Sequence, residues 1–320
     1  MNRREMIHKI FLGTGGTVGA SFCCSCASKL TPFLHSSDFL LPNDSALQAQ
    51  ESPPAAPSLV PDSSPSSTES ETTLSPDTTA ADYDEKMRRF DDEHPGDLFV
   101  APAEREMFVS VHAKLKAIMG HIGYGHFNMI DFESALKYAR HAPRLQRFTT
   151  QELDFIDQLF HRDAREYGFL GPRLVKHLTA CIPEREVIKI PYSGHFLFRD
   201  ISLPIYQQIV KDVGDSVILT SGIRSVTKQL YLFAEKIIEV DYNISRASRS
   251  LAPPGYSYHG VGDFDIGKKG LGLANFTSEF SHTREYRKLA ELGYIDIRYP
   301  SGNPYGVRFE PWHIEGALRT

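Results

Sequence analysis

Two short stretches near the C-terminus constrain this chain more than anything else in it. They are Ser257-Tyr258-His259-Gly260-Val261-Gly262-Asp263-Phe264-Asp265-Ile266-Gly267 and Glu310-Pro311-Trp312-His313. Together they offer two imidazoles, several carboxylates and a hydroxyl, set among glycines that let the backbone bend. A fold that brings them together across a cleft can hold one zinc ion. Zinc takes four tetrahedral partners, and a site that does chemistry keeps one of them for water. His259, His313 and one Asp would supply the other three. His259 and Asp265 are six residues apart, about 20 Å of extended chain, whereas ligands of one ion sit a few ångströms from each other. The chain must therefore fold back between them, and Gly260 and Gly262 make that bend easy. Asp263 is the rival ligand in the same loop.

Glu310 and His313 flank Pro311, which disfavours helix at Glu310 and has no amide to donate. That places the pair on an edge strand or bulge, and a bulge can aim both side chains into one cleft. Once a metal lowers the pKa of water, a nearby carboxylate can take its proton during attack on a carbonyl, so Glu310 is the candidate general base. The developing negative charge then needs a cationic or hydrogen-bonding partner. Arg224, just beyond the apolar run Val217-Ile218-Leu219-Thr220, is the candidate, and its guanidinium can also fork onto a substrate carboxylate.

The rest of the 320 residues reads as signal, tether and support. Asn2 to Lys9 is a basic head with a twin arginine, and Ile10 to Phe22 is a modest apolar run diluted by Gly13, Gly15, Gly16 and Gly19. Residues 1–29 thus resemble a twin-arginine export signal, too short and glycine-rich for a stable membrane span. An exported protein, periplasmic or associated with the cell envelope, is expected. A lipid anchor at Cys23, Cys24 or Cys26 is the weaker alternative and would be the only membrane contact. With that segment removed Cys181 stands alone, which leaves no intrachain disulfide. Residues 30–82 are a Pro/Ser/Thr-rich linker with too few apolar side chains to offset ordering entropy. A net charge of -5 with no basic stripe argues against a nucleic-acid partner.

From about 83 to 180 the pattern is helical. Met107, Phe108, Val111, Leu115 and Met119 share one helix face, and a second apolar-periodic piece runs from Met129 to Tyr138. Thr149 and Glu152 have capping-box spacing, opening a helix that buries Leu153, Ile156, Leu159 and Phe160 and is predicted to stop at Gly168. After Pro183 strands are predicted at Val187–Pro191, Val217–Thr220, Ile295–Tyr299 and from Val307 onward. Helices are predicted at Ile205–Val210 and Val226–Glu239. The expected class is α+β, an N-terminal helical region packed on a small mixed or antiparallel sheet with a zinc cleft. The histidines at 112, 121, 126, 141, 161 and 177 share no metal-ligand spacing, and His195 reads as structural.

Ser257-Tyr258-His259, Gly262, Asp265 and Glu310-Pro311-Trp312-His313, preceded by Ser221-Gly222-Ile223-Arg224-Ser225 and Gln229, resemble the VanY-like D-alanyl-D-alanine carboxypeptidases. These belong to the zinc peptidases that include lysostaphin and the hedgehog fold. The resemblance covers roughly Phe148 to the C-terminus, dividing the folded part into a supporting region at 83–147 and a zinc carboxypeptidase domain at 148–320. It implies His259, Asp265 and His313 as zinc ligands and Glu310 as base. It further implies Arg224 polarising or orienting substrate, Ser257 hydrogen-bonding it and Gln229 supporting the pocket. Trp312, by its size and aromatic character, is expected to wall the site, with a substrate platform as the alternative. The family places its Asp seven residues after the His, and here Asp265 is at six. The implied substrate is a peptidoglycan stem peptide losing its terminal D-alanine, and a monomer is expected. An endopeptidase or dipeptidase on the same scaffold, and a non-catalytic zinc-stabilised wall-binding module, are the alternatives.

Overall fold

The computed structural model describes residues 76–295 and 297–316. The expected export signal and most of the expected linker lie outside them. The first helix, α1 (Pro76–Arg88), begins inside what composition reads as linker, with its proline in the first turn, where a missing N–H costs nothing. α2 (Pro102–Ile122) also opens on proline and buries Phe108, Val111, Leu115 and Ile118. Met107 and Met119, expected on that face, are only partly covered, because Ile118 completes the stripe. α3 (Phe132–His141) is capped by Asp131, which accepts from the Ser134 amide. α4 (Thr150–His161) has the expected capping box and buries all four expected apolar residues. It stops at His161 and not at Gly168. Asp163 starts a separate 3-10 turn at Ala164–Tyr167, which Gly168 ends in the left-handed region at φ 91°.

β1 (Val187–Lys189) and β2 (Phe196–Phe198) form a short antiparallel hairpin, followed by α5 (Ser202–Val213). β3 (Val217–Ser221) leads into α6 (Val226–Glu239), capped by Ser225, and then α7 (Ile244–Ser250). β4 (Phe264–Lys268), α8 (Arg284–Glu291) and β5 (His313–Ile314) complete the elements used below. β3, β4 and β5 make one antiparallel sheet in that order.

The helical region does not lie on this sheet. α6 buries Leu230, Tyr231, Phe233, Ala234 and Ile237, too many for one face, so it needs cover on more than one side. α2, α3 and α4 provide it, sharing one core with α6 and α7. The sheet has a second core, built from Val217, Leu219, Phe264, Ile266, Trp312 and Ile314 with α5 and α8. Among the described residues, two expected strands are also absent as such. The 295–299 segment contributes a single bridge, Ile297 to Ile314. The segment from Val307 enters the sheet only at His313–Ile314, because Asn303 turns the chain by donating to the Pro300 and Val307 carbonyls. Cys181 is disulfide-bonded, and since Cys23, Cys24 and Cys26 all lie outside the described residues, the lone-thiol reading concerns only a processed chain. No helix among the described residues is long and apolar enough to cross a membrane.

Candidate active site

Sheet register does most of the positioning. Asp265 on β4 faces Ser221 on β3 and His313 on β5, with the β3–β4 register shifting between Leu219 and Ser221. Cross-strand neighbours put their side chains side by side, so Asp265 and His313 are adjacent by construction. His259 arrives from the 3-10 turn Tyr258–Gly260. The Tyr258 carbonyl accepts from the amides of Val261, Gly262 and Asp263, folding the chain back as the six-residue spacing requires. Gly262 has φ 139°, and a Cβ there would lie 2.8 Å from Ile201 Cγ2, so this glycine is needed. Gly260 has only ordinary contact distances.

His259, Asp265 and His313 each offer a ligand atom within 4.8 Å of the others, and all three residues are buried. His259 Nδ1 lies 2.8 Å from the Gly222 carbonyl. A carbonyl only accepts, so Nδ1 carries the proton and Nε2 is left facing Asp265 Oδ1 at 3.3 Å. His313 is arranged the other way round. Its Nε2 lies 3.0 Å from Asp263 Oδ2, and its Nδ1 lies 3.2 Å from Asp265 Oδ1. Asp265 Oδ1 is buried and makes no hydrogen bond, though two ring nitrogens converge on it. Such an orphaned carboxylate oxygen between two imidazoles with fixed tautomers fits a divalent cation bound by two nitrogens and one oxygen.

Burial and neighbouring charges act against each other at these groups. Burial alone would raise Asp265, but His259, His313 and Arg224 hold it well below the usual carboxylate range. Burial pushes His259 down. For His313 burial acts in the same direction and is overcome by Asp263 and Asp265, which push it up to about 10. Burial raises Glu310 above its ordinary value, opposed by Arg308 and His313.

Asp263, the rival ligand, faces away from the cluster. It accepts from Arg298 Nε at 3.0 Å and Nη2 at 3.2 Å, from the Gly316 amide at 2.9 Å, and pairs with His313. Its place is behind His313, orienting the ring. Glu310 is not on an edge strand. The His313 amide donates to its carbonyl, making a turn that enters β5, and Glu310 Oε2 ends 3.6 Å from His313 Nδ1. Pro311 suits this turn as well as it suits an edge, which is why local reasoning could not separate them. Arg224 spends Nη2 on Asp265 Oδ2 at 2.7 Å and Nε on the Ser221 hydroxyl. Gln229 donates to the Ala252 carbonyl and leaves its own carbonyl oxygen unpaired. Trp312 packs edge-to-face on Phe276.

A cavity of about 220 Å3 joins them: Arg224, Gln229, Ser257, His259, Asp265, Glu310, Trp312 and His313 all line it. The sequence reasoning missed three contributors. They are the Gly222 carbonyl, Arg298 behind Asp263, and Arg308, which lies beside Glu310. Only Arg308 carried a signal, two residues before the candidate base. His195 stays outside the cavity lining, beside Asn128, and burial pushes it down to about 4.

Residues 204–315 match the family model described as VanY, D-alanyl-D-alanine carboxypeptidase. No curated protein matches. Among solved structures the chain is similar to the vancomycin-resistance D,D-pentapeptidase VanY from a VanB-type cassette, a mutant bound to Zn(II). The identity is 26%, the TM-score 0.34, and 45% of this chain and 85% of that one are covered. VanYB in complex with D-alanine-D-alanine gives 27% identity and a TM-score of 0.35, over 45% of this chain and 84% of that one. The LD-carboxypeptidase LdcB gives 20% identity and a TM-score of 0.35, over 40% of this chain and 63% of that one. Residues 204–315 are therefore a VanY-type carboxypeptidase domain, and the chain is a hydrolase.

Proposed function

We propose that this protein is a zinc-dependent D-alanyl-D-alanine carboxypeptidase that removes the terminal D-alanine of peptidoglycan stem peptides. The observation that carries the reading is the convergence of His259, Asp265 and His313 with Glu310 in one cavity. His259 through Nε2, His313 through Nδ1 and Asp265 through Oδ1 would hold the ion. A bound zinc supplies Lewis acidity, polarising a carbonyl and easing deprotonation of water. Glu310 takes the proton of the attacking water and returns it to the departing amine. Its raised pKa brings it nearer neutrality, which suits a group that must both accept and donate. Asp263 and the Gly222 carbonyl hold the two rings in the required tautomers. Arg224 braces Asp265 and lines the cavity, where the tetrahedral oxygen develops charge. Ser257 and the unpaired Gln229 carbonyl offer hydrogen bonds to the peptide, and Trp312 walls the space. The twin-arginine-like leader supports an exported enzyme working at the cell envelope.

The test is D-alanine release from a pentapeptide ending in D-Ala-D-Ala, with bound zinc measured on the same sample. Glu310→Gln should keep about one zinc per chain and lose about 10²–10⁴-fold in turnover. Zinc retention with unimpaired turnover would sink the role of Glu310. Peptide binding without product from the wild-type protein would point to the wall-binding module instead.

A further inference from the structure

The proposed reaction, on which this inference rests, leaves one requirement unassigned. A peptide ending in D-Ala-D-Ala brings a free carboxylate into the cavity, and burying it unpaired would be costly. Arg224 is the sequence-based candidate for that charge. In the structure its Nη2 is 2.7 Å from Asp265 Oδ2 and its Nε is bonded to Ser221, so its charge is already matched by a buried anion.

The cavity contains a second guanidinium. Arg308 lines it, one side chain away from Glu310, and its Nε is buried without a hydrogen-bond partner. Its ion pair with Glu310 is long, Nε to Oε1 at 3.8 Å and beyond hydrogen-bond reach, whereas Arg224 bonds its carboxylate at 2.7 Å. The guanidinium carbon sits 4.6 Å from the centre of the Phe90 ring and 4.9 Å from that of Trp312. Aromatic contacts of this kind hold a guanidinium by its face and leave donors at its edge. One edge nitrogen, Nη2, donates to the Phe276 carbonyl, fixing the rotation of the group. Phe90 is itself anchored: Arg249 Nε donates to its carbonyl at 2.9 Å, while the Arg308 amide donates to the Arg249 carbonyl at 2.8 Å. The cation is thus held in place beside Glu310, with one donor, Nε, making no hydrogen bond.

We propose that Arg308, clamped by Phe90 and Trp312, is the residue that receives the substrate's terminal carboxylate and makes the enzyme select free-acid over blocked peptide ends. Phe90 lies outside residues 204–315, so the N-terminal helical region supplies part of the specificity.

Calorimetry on the zinc-loaded full chain tests this with a D-Ala-D-Ala pentapeptide carrying a non-hydrolysable link at the scissile position and with its C-terminal amide. The acid should bind about tenfold or more tightly than the amide. Adding Arg308→Met, which keeps a stem of similar bulk between the rings, should collapse that ratio while zinc content is unchanged. Phe90→Leu should lower the ratio part of the way. An acid preference that survives Arg308→Met, or one that disappears only in Arg224→Met, overturns the assignment. So does equal binding of acid and amide from the outset. If the wild-type protein releases no D-alanine yet the Arg308-dependent preference is intact, the proposed reaction fails and the carboxylate receptor stands.

Discussion

Replacing Asp263 by asparagine separates the role of this residue from that of a ligand. Asp263 is 2% exposed and accepts from four donors, two on each oxygen. Oδ2 takes Arg298 Nε and His313 Nε2, and Oδ1 takes Arg298 Nη2 and the Gly316 amide. An amide has only one oxygen, so in Asp263→Asn either orientation of the side chain sets its NH2 against two donors. If the NH2 faces His313, the ring must switch tautomer, and its proton moves to Nδ1, the nitrogen that faces Asp265. Loss of such an outer partner costs about 10- to 100-fold in metal affinity, or about 1.4–2.7 kcal/mol. Folding should suffer separately. Breaking a buried pair costs about 3–5 kcal/mol, but Arg298 keeps Glu315 at 3.5 Å and the Tyr258 ring at 3.8 Å. A loss of roughly 2–3 kcal/mol is therefore expected for the metal-free protein. Zinc affinity is read by competition with a chromophoric chelator, and stability by urea unfolding without metal. Zinc binding within about threefold of wild type, well short of the loss expected for an outer partner, together with reduced stability, would refute the orienting role and leave Asp263 as a folding residue.

Two further outcomes follow from backbone contacts and burial. Gly222→Ala would bring a Cβ to 2.1 Å from the Phe196 carbonyl oxygen and displace the carbonyl that holds His259. It should cost about 1–3 kcal/mol and weaken zinc binding, whereas Gly120→Ala, with nothing within 4 Å, should be neutral or stabilising; equal behaviour of the two would count against the packing argument. Lys228 is 3% exposed, its Nζ has no hydrogen-bond partner, and burial drives its pKa from 10.5 down to about 8. Between those values the unfolded chain binds the proton and the folded one does not, so this group makes stability rise with pH across that window and leaves its full penalty in place below it. Lys228→Met should stabilise the protein at pH 7 by on the order of 1–2 kcal/mol, after allowance for the Tyr124 and Tyr231 rings beside the ammonium. The advantage over wild type should shrink towards about pH 10 in thermal unfolding, and a gap that does not depend on pH would exclude the titration account.

The part of the site that could be read from the sequence is the part carried by local chemistry. His259, Asp265, Glu310 and His313 are ligand and base types held in two short segments, and their convergence needs only that the segments meet. What lay beyond reach depends on register. Asp263 and Asp265 are both carboxylates in one loop, and only the pairing of Asp265 with His313 across β4 and β5 decides which one joins the cluster. The strand misreading near Glu310 has the same origin. Alternating Val307-Arg308-Phe309 has strand texture, but Asn303 has already turned the chain and the Arg308 amide is engaged by Arg249. Helices fared better because capping and periodicity act within a few residues, as at Thr149 and Glu152.

The supporting region is the extreme case, since every contact that gives it a purpose is distant in sequence. The Tyr83 hydroxyl donates to the Asn303 carbonyl at 2.6 Å and accepts from the Gly306 amide at 2.8 Å. Asp97 makes a two-point ion pair with Arg249, which is 4% exposed and also bonds the carbonyls of Phe90 and Asp92. These bonds fix the loop from Tyr299 to Arg308, and that loop delivers Glu310 to the cavity. An irregular loop has no ladder of its own to hold it, so its geometry must come from what packs against it. The stretch from α1 to the start of α2 therefore does more than lead into the helical core. Through Tyr83 on α1 and through Phe90 and Asp97 in the loop after it, it holds the segment that carries the candidate base and its neighbouring guanidinium.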